Sequence, residues 1–257
     1  MSPLIPVSDT TTLLVALRHV LPGLDGRVGP PAAGSLCAGP AGEAAVGELV
    51  AHWRLAHPEA GPPYWGSRSW TMLVWQPVYL AVLSLHLSGC LPRLAGMAQA
   101  RRDGLVSGFS LPPAGLVRVD EAEGLACAGV ALRTLCWSLF DTLAAATPLH
   151  PKMAGRLLAD CTLSALLQAQ RCDARLDNAR LQALTPRWLQ ALDLPAASGL
   201  VAVRLDDGRE RLALQRKVCC QHFRRHDGEL CSTCPKRKPA ARLALLKQEL
   251  SHDVFTA

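Results

Sequence analysis

Four cysteines near the C-terminus constrain the fold and the chemistry of this chain more than any other feature. They follow the pattern Cys-Cys-x10-Cys-x2-Cys and are Cys219, Cys220, Cys231 and Cys234. Disulfides need an oxidising compartment, and the first residues lack the basic and apolar regions of a secretion signal. So dense a set of thiols therefore predicts a metal or iron–sulfur site.

The cysteine spacing leaves the choice between zinc and an iron–sulfur cluster open. Cys231 and Cys234 form a CxxC knuckle, whose two sulfurs can bind one centre. Cys219 and Cys220 are adjacent, and in an extended strand neighbouring side chains point to opposite faces. Either the backbone turns at this pair, or two metal ions lie on either side of it. Structural zinc sites more often use two CxxC knuckles, but both kinds of centre fit four thiolates.

The complete motif, at the C-terminal end of a mostly helical chain, resembles that of the ferric-siderophore reductases of the FhuF type. The stretch from Pro62 to Trp70, followed by Trp75-Gln76-Pro77, is similar to the N-terminal region of the same family. The resemblance implies a [2Fe-2S] cluster held by the four cysteines. It also implies that the substrate is ferric iron bound by a hydroxamate siderophore.

The composition favours helix over most of the chain. Hydrophobic residues make up 49% of the sequence and charged residues 19%, which is typical of a globular protein rich in alanine and leucine. We therefore predict a mostly α-helical α+β fold, with small β-hairpins and a C-terminal iron–sulfur segment. Helices are expected over residues 10–20, 43–57, 67–89, 121–146, 151–172, 174–183, 186–193 and 239–250.

Turn residues predict two β-hairpins. Residues 105–111 and 116–119 alternate in polarity and flank Pro112-Pro113-Ala114-Gly115, which favours the first hairpin. The second covers residues 199–218, turns at Asp207-Gly208 and leads directly into the first cysteine.

The helix breaks and the chain division are also predicted from local signals. Thr185 and Pro186 are typical of an N-cap and a first helical residue, so a new helix is expected to begin there. We divide the chain into a helical siderophore-binding body, residues 1–198, and a hairpin with the cluster-binding segment, residues 199–257.

The positive charge of the protein is concentrated around the cysteines. Between Arg209 and Arg242, ten Lys and Arg residues stand against three acidic residues, a local charge of +7, whereas the whole chain carries +6. Six of these bases are candidates to compensate a buried anionic cluster: Arg216, Lys217, Arg224, Arg225, Lys236 and Arg237. We expect an acidic electron donor, a ferredoxin or a flavoprotein reductase, to dock on this segment.

Other cofactor sites are not indicated by the sequence. It contains neither a GxGxxG after a predicted strand nor a P-loop, so electrons are expected to come from a partner protein. His222 and His226 are expected to be exposed loop residues, although one could hydrogen-bond a cluster sulfur or replace a thiolate, as in Rieske centres. The other six cysteines are predicted to be reduced, buried core thiols: Cys37, Cys90, Cys127, Cys136, Cys161 and Cys172.

One apolar stretch raises the question of membrane contact. Residues 71–90 are long enough to span a bilayer but include Gln76, Pro77 and His86. We therefore predict a buried core helix and a cytoplasmic protein, with peripheral proximity to a membrane left open.

A ferric hydroxamate is a bulky complex that needs a broad surface with aromatic walls and polar donors. Trp65 and Arg68, at the entry to the long helix, are the predicted substrate-binding residues. Trp70 and Trp75 are expected in the core, because aromatic residues within helices usually pack there.

The function predicted from these features is one-electron reduction of siderophore-bound Fe(III), which releases Fe(II). A second hypothesis is a zinc- or cluster-bearing regulator that binds nucleic acid through its basic tail, although the sequence contains no known reader module. A third is a scaffold in siderophore metabolism with a structural metal. Because the first hypothesis is preferred, no nucleic-acid partner is expected.

Overall fold

The structure is a computed structural model that describes residues 4–252. It confirms the predicted fold class, with seven α-helices and short strands in this range. The helices are α1 (Thr10–Val20), α2 (Glu43–Ala56), α3 (Gly61–Leu83), α4 (Glu121–Ala144), α5 (Pro151–Cys172), α6 (Asn178–Ala191) and α7 (Pro239–His252). The side chains of Asp9, Asp120 and Asp177 cap α1, α4 and α6 by accepting a main-chain N–H bond in the first turn.

Helix α3 lies at the centre of the core, where it packs against α2, α4 and α5. Trp70, Leu73 and Val74 on this helix are fully buried. The indole nitrogen of Trp70 donates a 2.8 Å hydrogen bond to the carbonyl of Ala154 on α5, so its one polar atom is satisfied inside the core. This packing fixes the position of the first turn of α3, beside which the cysteines lie.

Prolines occupy the first turn and the middle of α3. The helix begins at Gly61, before the predicted residue 67, because Pro62 lies in the first turn, where no amide donor is needed. Pro77 lies inside the helix and leaves the carbonyl of Leu73 without its usual partner. The side chain of Gln99 donates to that carbonyl at 2.8 Å, which replaces the missing bond.

The strands form three small sheets in the described part of the chain. They are β1 (Gly26–Val28), β2 (Cys90–Leu91), β3 (Ala98–Arg102), β4 (Leu105–Leu111), β5 (Val117–Arg118), β6 (Leu200–Arg204) and β7 (Glu210–Leu214). Strand β4 lies between β3, to which it is antiparallel, and β1, to which it is parallel. Strand β2 pairs with β5, and β6 pairs with β7.

The predicted hairpin between residues 105–111 and 116–119 is wrong. Strand β4 turns back on β3 through Asp103-Gly104, whose φ angles are 47° and 78°. An Asp-Gly pair is a strong signal for a two-residue hairpin, because both positions need positive φ. The proline-rich segment after β4 instead leads to β5, which pairs with β2.

The predicted break at Thr185-Pro186 is also wrong, because α6 is one helix from Asn178 to Ala191. The Thr185 hydroxyl donates to the carbonyl of Leu181 at 2.8 Å, as a residue within a helix does, and does not act as an N-cap. Trp188, beyond the proline, is fully buried. Packing of this second half offsets the bond that Pro186 removes.

The second predicted hairpin is confirmed by β6 and β7, in which Val201 lies opposite Ala213. It does not lead directly into the cysteines, since β7 ends at Leu214 and four residues separate it from Cys219. Helix α7 covers the hairpin with Leu246, which is buried. The two-part division of the chain stays a prediction.

One helical stretch, Pro58–Ser88, is long and apolar enough to cross a membrane by length and composition. In the folded chain 72% of its most apolar window is buried, which is typical of a core helix. One polar group in this stretch, His86, accepts a 2.9 Å hydrogen bond from the indole of Trp188 inside the protein. The cytoplasmic location and the proximity to a membrane stay predictions.

Candidate iron–sulfur centre

The fold gathers all four motif cysteines. The sulfurs of Cys219 and Cys234 lie 3.6 Å apart. The thiol of Cys220 forms hydrogen bonds with the thiols of Cys219 and Cys231. Pairwise contacts therefore link all four sulfurs. We call residues 219–234 the cysteine segment.

Local backbone features produce this convergence. The chain turns just after the adjacent pair, at Gln221, which has a left-handed φ of 64°. This conformation costs a non-glycine residue about 1–2 kcal/mol. At Gly228 the loop passes so close to the carbonyl oxygen of His222 that an added Cβ would lie 2.2 Å from it. The knuckle is closed by a 3.0 Å bond from the Cys234 N–H to the Cys231 carbonyl.

The cysteine segment docks on the first two turns of α3 and on the residue before them. The hydroxyl of Ser67 lies 2.8 Å from the carbonyl oxygen of Cys220, and Arg224 donates a 2.7 Å bond to the carbonyl of Ala60. Ser67 is fully buried at this contact. The helical body and the cysteine segment are thus joined by hydrogen bonds between residues more than 150 positions apart in the chain.

A buried ion pair lies beside the sulfurs. Arg216 donates a 2.8 Å bond to Asp160 on α5, and its guanidinium also lies 3.8 Å from the sulfur of Cys231. The Ser198 hydroxyl donates to the other oxygen of Asp160 at 2.6 Å. Burial raises the pKa of Asp160, and Arg216 and Ser198 offset part of that effect. Burial opposes the charge of Arg216, but Asp160 and Cys220 raise the pKa of its guanidinium overall.

The thiols perturb one another strongly. Hydrogen bonds from Cys219 and Cys231 hold the pKa of Cys220 well below its ordinary value. The same contacts, together with burial, raise the pKa values of Cys219 and Cys231. Among these thiols, the surroundings favour negative charge most at Cys220.

Main-chain amides also point at the sulfurs. The Gln221 N–H donates to the sulfur of Cys219 at 3.4 Å. The His222 N–H forms a hydrogen bond with Cys220. Such N–H···S bonds stabilise negative charge on the sulfurs and raise the reduction potential of an iron–sulfur centre.

The four ligand positions differ in burial. Cys219 and Cys234 are buried, whereas Cys220 and Cys231 are half-buried. A centre bound here would have an inner side fixed in the protein and an outer side near the surface. Electron exchange with a docked molecule is therefore easiest at the outer side.

The six cysteines outside the motif differ in burial. Burial raises the pKa of Cys136 to about 12, as expected for a core thiol, and Cys90 is also buried. The prediction is wrong for Cys127, which lies exposed on α4. Cys37, Cys161 and Cys172 are half-buried.

The two predicted substrate residues lie close to the cysteine segment. Arg68 stacks over the ring of Trp53 at 4.9 Å, and its Nε has no hydrogen-bond partner. Burial lowers the pKa of Arg68, while the nearby Tyr64 and Cys220 groups raise it. The indole nitrogen of Trp65 donates to the carbonyl of His57 at 2.8 Å, so its ring is held half-buried at the surface.

A concave surface also lies beside the cysteines. This cleft of about 610 Å³ lies between α5, α6, α7 and the β6–β7 hairpin. Its lining includes Arg216 and Thr233, which both lie beside the sulfur of Cys231.

The basic residues in and next to the cysteine segment serve different roles. Arg225 pairs with Asp227, and the Arg237 guanidinium donates to the carbonyls of Leu230 and Cys231. Lys217 donates to the carbonyl of Ala196. These contacts hold the backbone in place. Lys236 and Lys238 next to the knuckle are exposed.

The histidines between the cysteine pairs are in different environments. His226 is exposed, as expected, and lies beside Glu59. His222 is half-buried, with its ring 6.3 Å from that of Tyr64.

Comparison with known proteins supports an iron–sulfur centre. Residues 216–236 match the family model described as FhuF 2Fe-2S C-terminal domain, and all four cysteines lie within the match. The match indicates a [2Fe-2S] cluster, which the four converging thiols fit by number and type. No solved structure matches the chain.

Sequence reasoning missed the residues that hold the centre from the helical body. Asp160 carried one usable signal, since it is a lone acid among the buried residues Leu157 and Leu163 of α5. Such an acid usually has a buried partner. Nothing local identified Ser67, because its role depends on a contact with Cys220 that only the fold creates.

Replacing any one motif cysteine by Ser should remove the visible charge-transfer absorption and lower the iron content. The reason is that a hydroxyl is a poor substitute for a thiolate ligand. Cys127→Ser and Cys161→Ser are the matched controls and should keep both. Iron analysis with absorption spectra measures this. Loss of the cluster in the controls, with the four motif variants unchanged, would contradict the assignment.

Arg216→Gln should lower the midpoint potential of the cluster. A unit charge about 5 Å away in an effective dielectric of about 20 contributes about 3 kcal/mol, on the order of 100 mV for one electron. Because Asp160 offsets part of this charge, we expect a fall of roughly 50–100 mV. Arg216→Lys should keep most of the potential.

A redox titration followed by absorbance measures the shift. Asp160→Asn combined with Arg216→Gln avoids an unpaired buried carboxylate if the single variant is unstable. The exposed Arg18→Gln on α1 is the control. An unchanged potential in stable, cluster-loaded Arg216→Gln would show that this charge does not act on the centre.

Proposed function

We propose that this protein is a ferric-siderophore reductase that acts on hydroxamate complexes. The observation that carries the proposal is the half-buried outer pair, Cys220 and Cys231, of a thiol set that matches a [2Fe-2S] domain. Such a centre would supply one electron at a time near the surface. Fe(III) in the siderophore accepts that electron and leaves as Fe(II), which hydroxamate oxygens hold less tightly.

Cys219, Cys220, Cys231 and Cys234 are the proposed cluster ligands. Arg216 and the amides of Gln221 and His222 offset the negative charge of the sulfurs. The contacts of Ser67 and Arg224 with the segment keep it in place on α3. The protein would thereby set both the position and the reduction potential of the cluster.

Trp65 and Arg68 are the proposed substrate contacts. Arg68 is half-buried and lies near Cys220, so its guanidinium places a positive charge beside the outer side of the centre. Trp65 offers a fixed aromatic face three residues away. A flat face and a cation suit a bulky complex with oxygen atoms on its surface.

The electron donor is proposed to be an acidic redox protein, a ferredoxin or a flavoprotein reductase. Lys236 and Lys238 are exposed directly after the last cysteine, in the segment that carries the local excess of positive charge. Opposite charges on the partner would accelerate encounter near the cluster.

Neither alternative has an observation that favours it over reduction. A nucleic-acid regulator would need its basic residues free for phosphates, yet Arg225 and Arg237 bond within the cysteine segment. A scaffold with a structural metal would not require half-buried ligands.

Trp65→Ala and Arg68→Gln should each weaken binding of a ferric hydroxamate about tenfold, the equivalent of 1.4 kcal/mol of lost contact. Trp65→Phe keeps the aromatic face and should bind almost normally. Arg68→Gln should also lower the midpoint potential, because its charge lies near Cys220. Binding to cluster-loaded protein and anaerobic turnover with a siderophore panel measure both effects.

The exposed Arg102→Ala on β3 is the matched control. Unchanged affinity and turnover in a stable Trp65→Ala, Arg68→Gln double variant would contradict the assignment of substrate binding to this surface. Gln170→Ala would then test whether the siderophore binds instead in the cleft that Arg216 also lines.

Reduction by the physiological donor should slow as salt rises, since exposed charges are screened within about 10 Å at 0.1 M. Lys236→Glu with Lys238→Glu should slow it at low salt about tenfold or more, by reversing the attraction. Arg102→Glu changes the net charge away from the segment and is the control. Stopped-flow rates measure this. A rate that is flat with salt and equal in both variants would exclude electrostatic docking here.

A further inference from the structure

Three nitrogen and oxygen donors converge where the cysteine segment meets the helical body, and a fourth residue, Glu59, contacts two of them. The four residues are His57, Glu59, His226 and Asp227. The ligand atoms of His57, His226 and Asp227 all lie within 4.8 Å of one another. The first two residues of the set lie between α2 and α3, and the last two in the loop that joins the cysteine pairs.

Glu59 lies between the two imidazoles. Its Oε1 is 3.6 Å from Nδ1 of His57 and 3.4 Å from Nδ1 of His226. Ligand atoms bound tetrahedrally at 2.0–2.1 Å are roughly 3.3–3.4 Å apart. The two spacings between Glu59 and the histidines are therefore close to that of donors that share one ion.

The imidazole nitrogen of His57 and the carboxylates of Glu59 and Asp227 have lone pairs that a cation can bind. Nδ1 of His57 is buried and has no hydrogen-bond partner. Hydrogen bonds from its own amide and from the His226 amide keep the pKa of Glu59 below its ordinary value. Arg225 does the same for the pKa of Asp227. It donates one bond to each oxygen of Asp227, and each oxygen keeps a further lone pair.

We propose that His57, Glu59, His226 and Asp227 form a second metal site, for a divalent first-row transition ion. Two imidazoles with carboxylates suit Zn²⁺ and Fe²⁺, whereas Ca²⁺ and Mg²⁺ prefer oxygen donors alone. The positive charge of Arg225 opposes the ion, and the two carboxylates offset it.

The bound ion would join the two parts of the protein. Glu59 and His226 are 167 positions apart in the chain, so a shared ion would hold the cysteine loop against the start of α3. If the proposed reduction is correct, Fe²⁺ is also the ion released beside this loop. This last step rests on the proposed function, but the site itself does not.

The test uses cluster-loaded, full-length protein without an affinity tag. Equilibrium dialysis against Zn²⁺, with zinc and iron measured by mass spectrometry, should show one zinc bound in addition to the cluster iron. His226→Ala and Glu59→Gln should weaken that binding at least about tenfold, as ligand loss should cost no less than loss of an outer-shell partner. His226 is 78% exposed, so its replacement leaves the core intact. His19→Ala, exposed on α1, should bind as the unaltered protein does.

Two further readings complete the test. The visible spectrum must stay constant, because zinc that enters by displacing the cluster would bleach it and overturn the proposal. Equal zinc binding in His226→Ala, Glu59→Gln and the unaltered protein would also overturn it. Anaerobic Fe²⁺ should compete with Zn²⁺, and absence of competition would remove the link to the released iron. None of these measurements requires siderophore reduction, so failure of the site and failure of the proposed function are distinguishable.

Discussion

The buried contact of Arg216 with both Asp160 and Cys231 is the interaction on which the rest of the centre depends. Four thiolates brought together in a protein repel one another, and burying their charge is costly unless a cation is held beside them. Asp160, tied to Ser198, holds Arg216 in that position. The helical body thereby holds a positive charge that offsets the repulsion between the cysteine thiolates.

The same design gives the centre two distinct sides. Hydrogen bonds to the first two turns of α3 hold the cysteine segment in place, and these turns are themselves held by the packing of α3 through the core. Cys220 and Cys231 on the outer side remain half-buried, with Arg68 near the first and the cleft beside the second. In the proposed function, substrate and electron donor would therefore approach different edges of one centre, which would avoid competition between them.

Local signals were enough to predict much of this arrangement, and long-range contacts account for the rest. The cysteine spacing indicated the cofactor, and alternation indicated the β6–β7 hairpin. The Asp103-Gly104 turn was present in the sequence but was outweighed by the prolines that follow β4. The helix break predicted at Pro186 is wrong because the burial of Trp188 offsets the cost of the backbone hydrogen bond that the proline removes. Ser67, Asp160 and Glu59 could not be assigned, since each acts on a residue at least 38 positions away.

The central claim is that an electron held at the four cysteines passes to siderophore-bound Fe(III). A single-turnover experiment tests it directly. Reduced, cluster-loaded protein is mixed anaerobically with a ferric hydroxamate and a ferrous-specific chelator, without any donor. The account predicts that one Fe(II) per cluster appears at the rate at which the absorption of the oxidised cluster returns. Reoxidation without Fe(II) release, or a cluster that stays reduced in excess substrate, would contradict it.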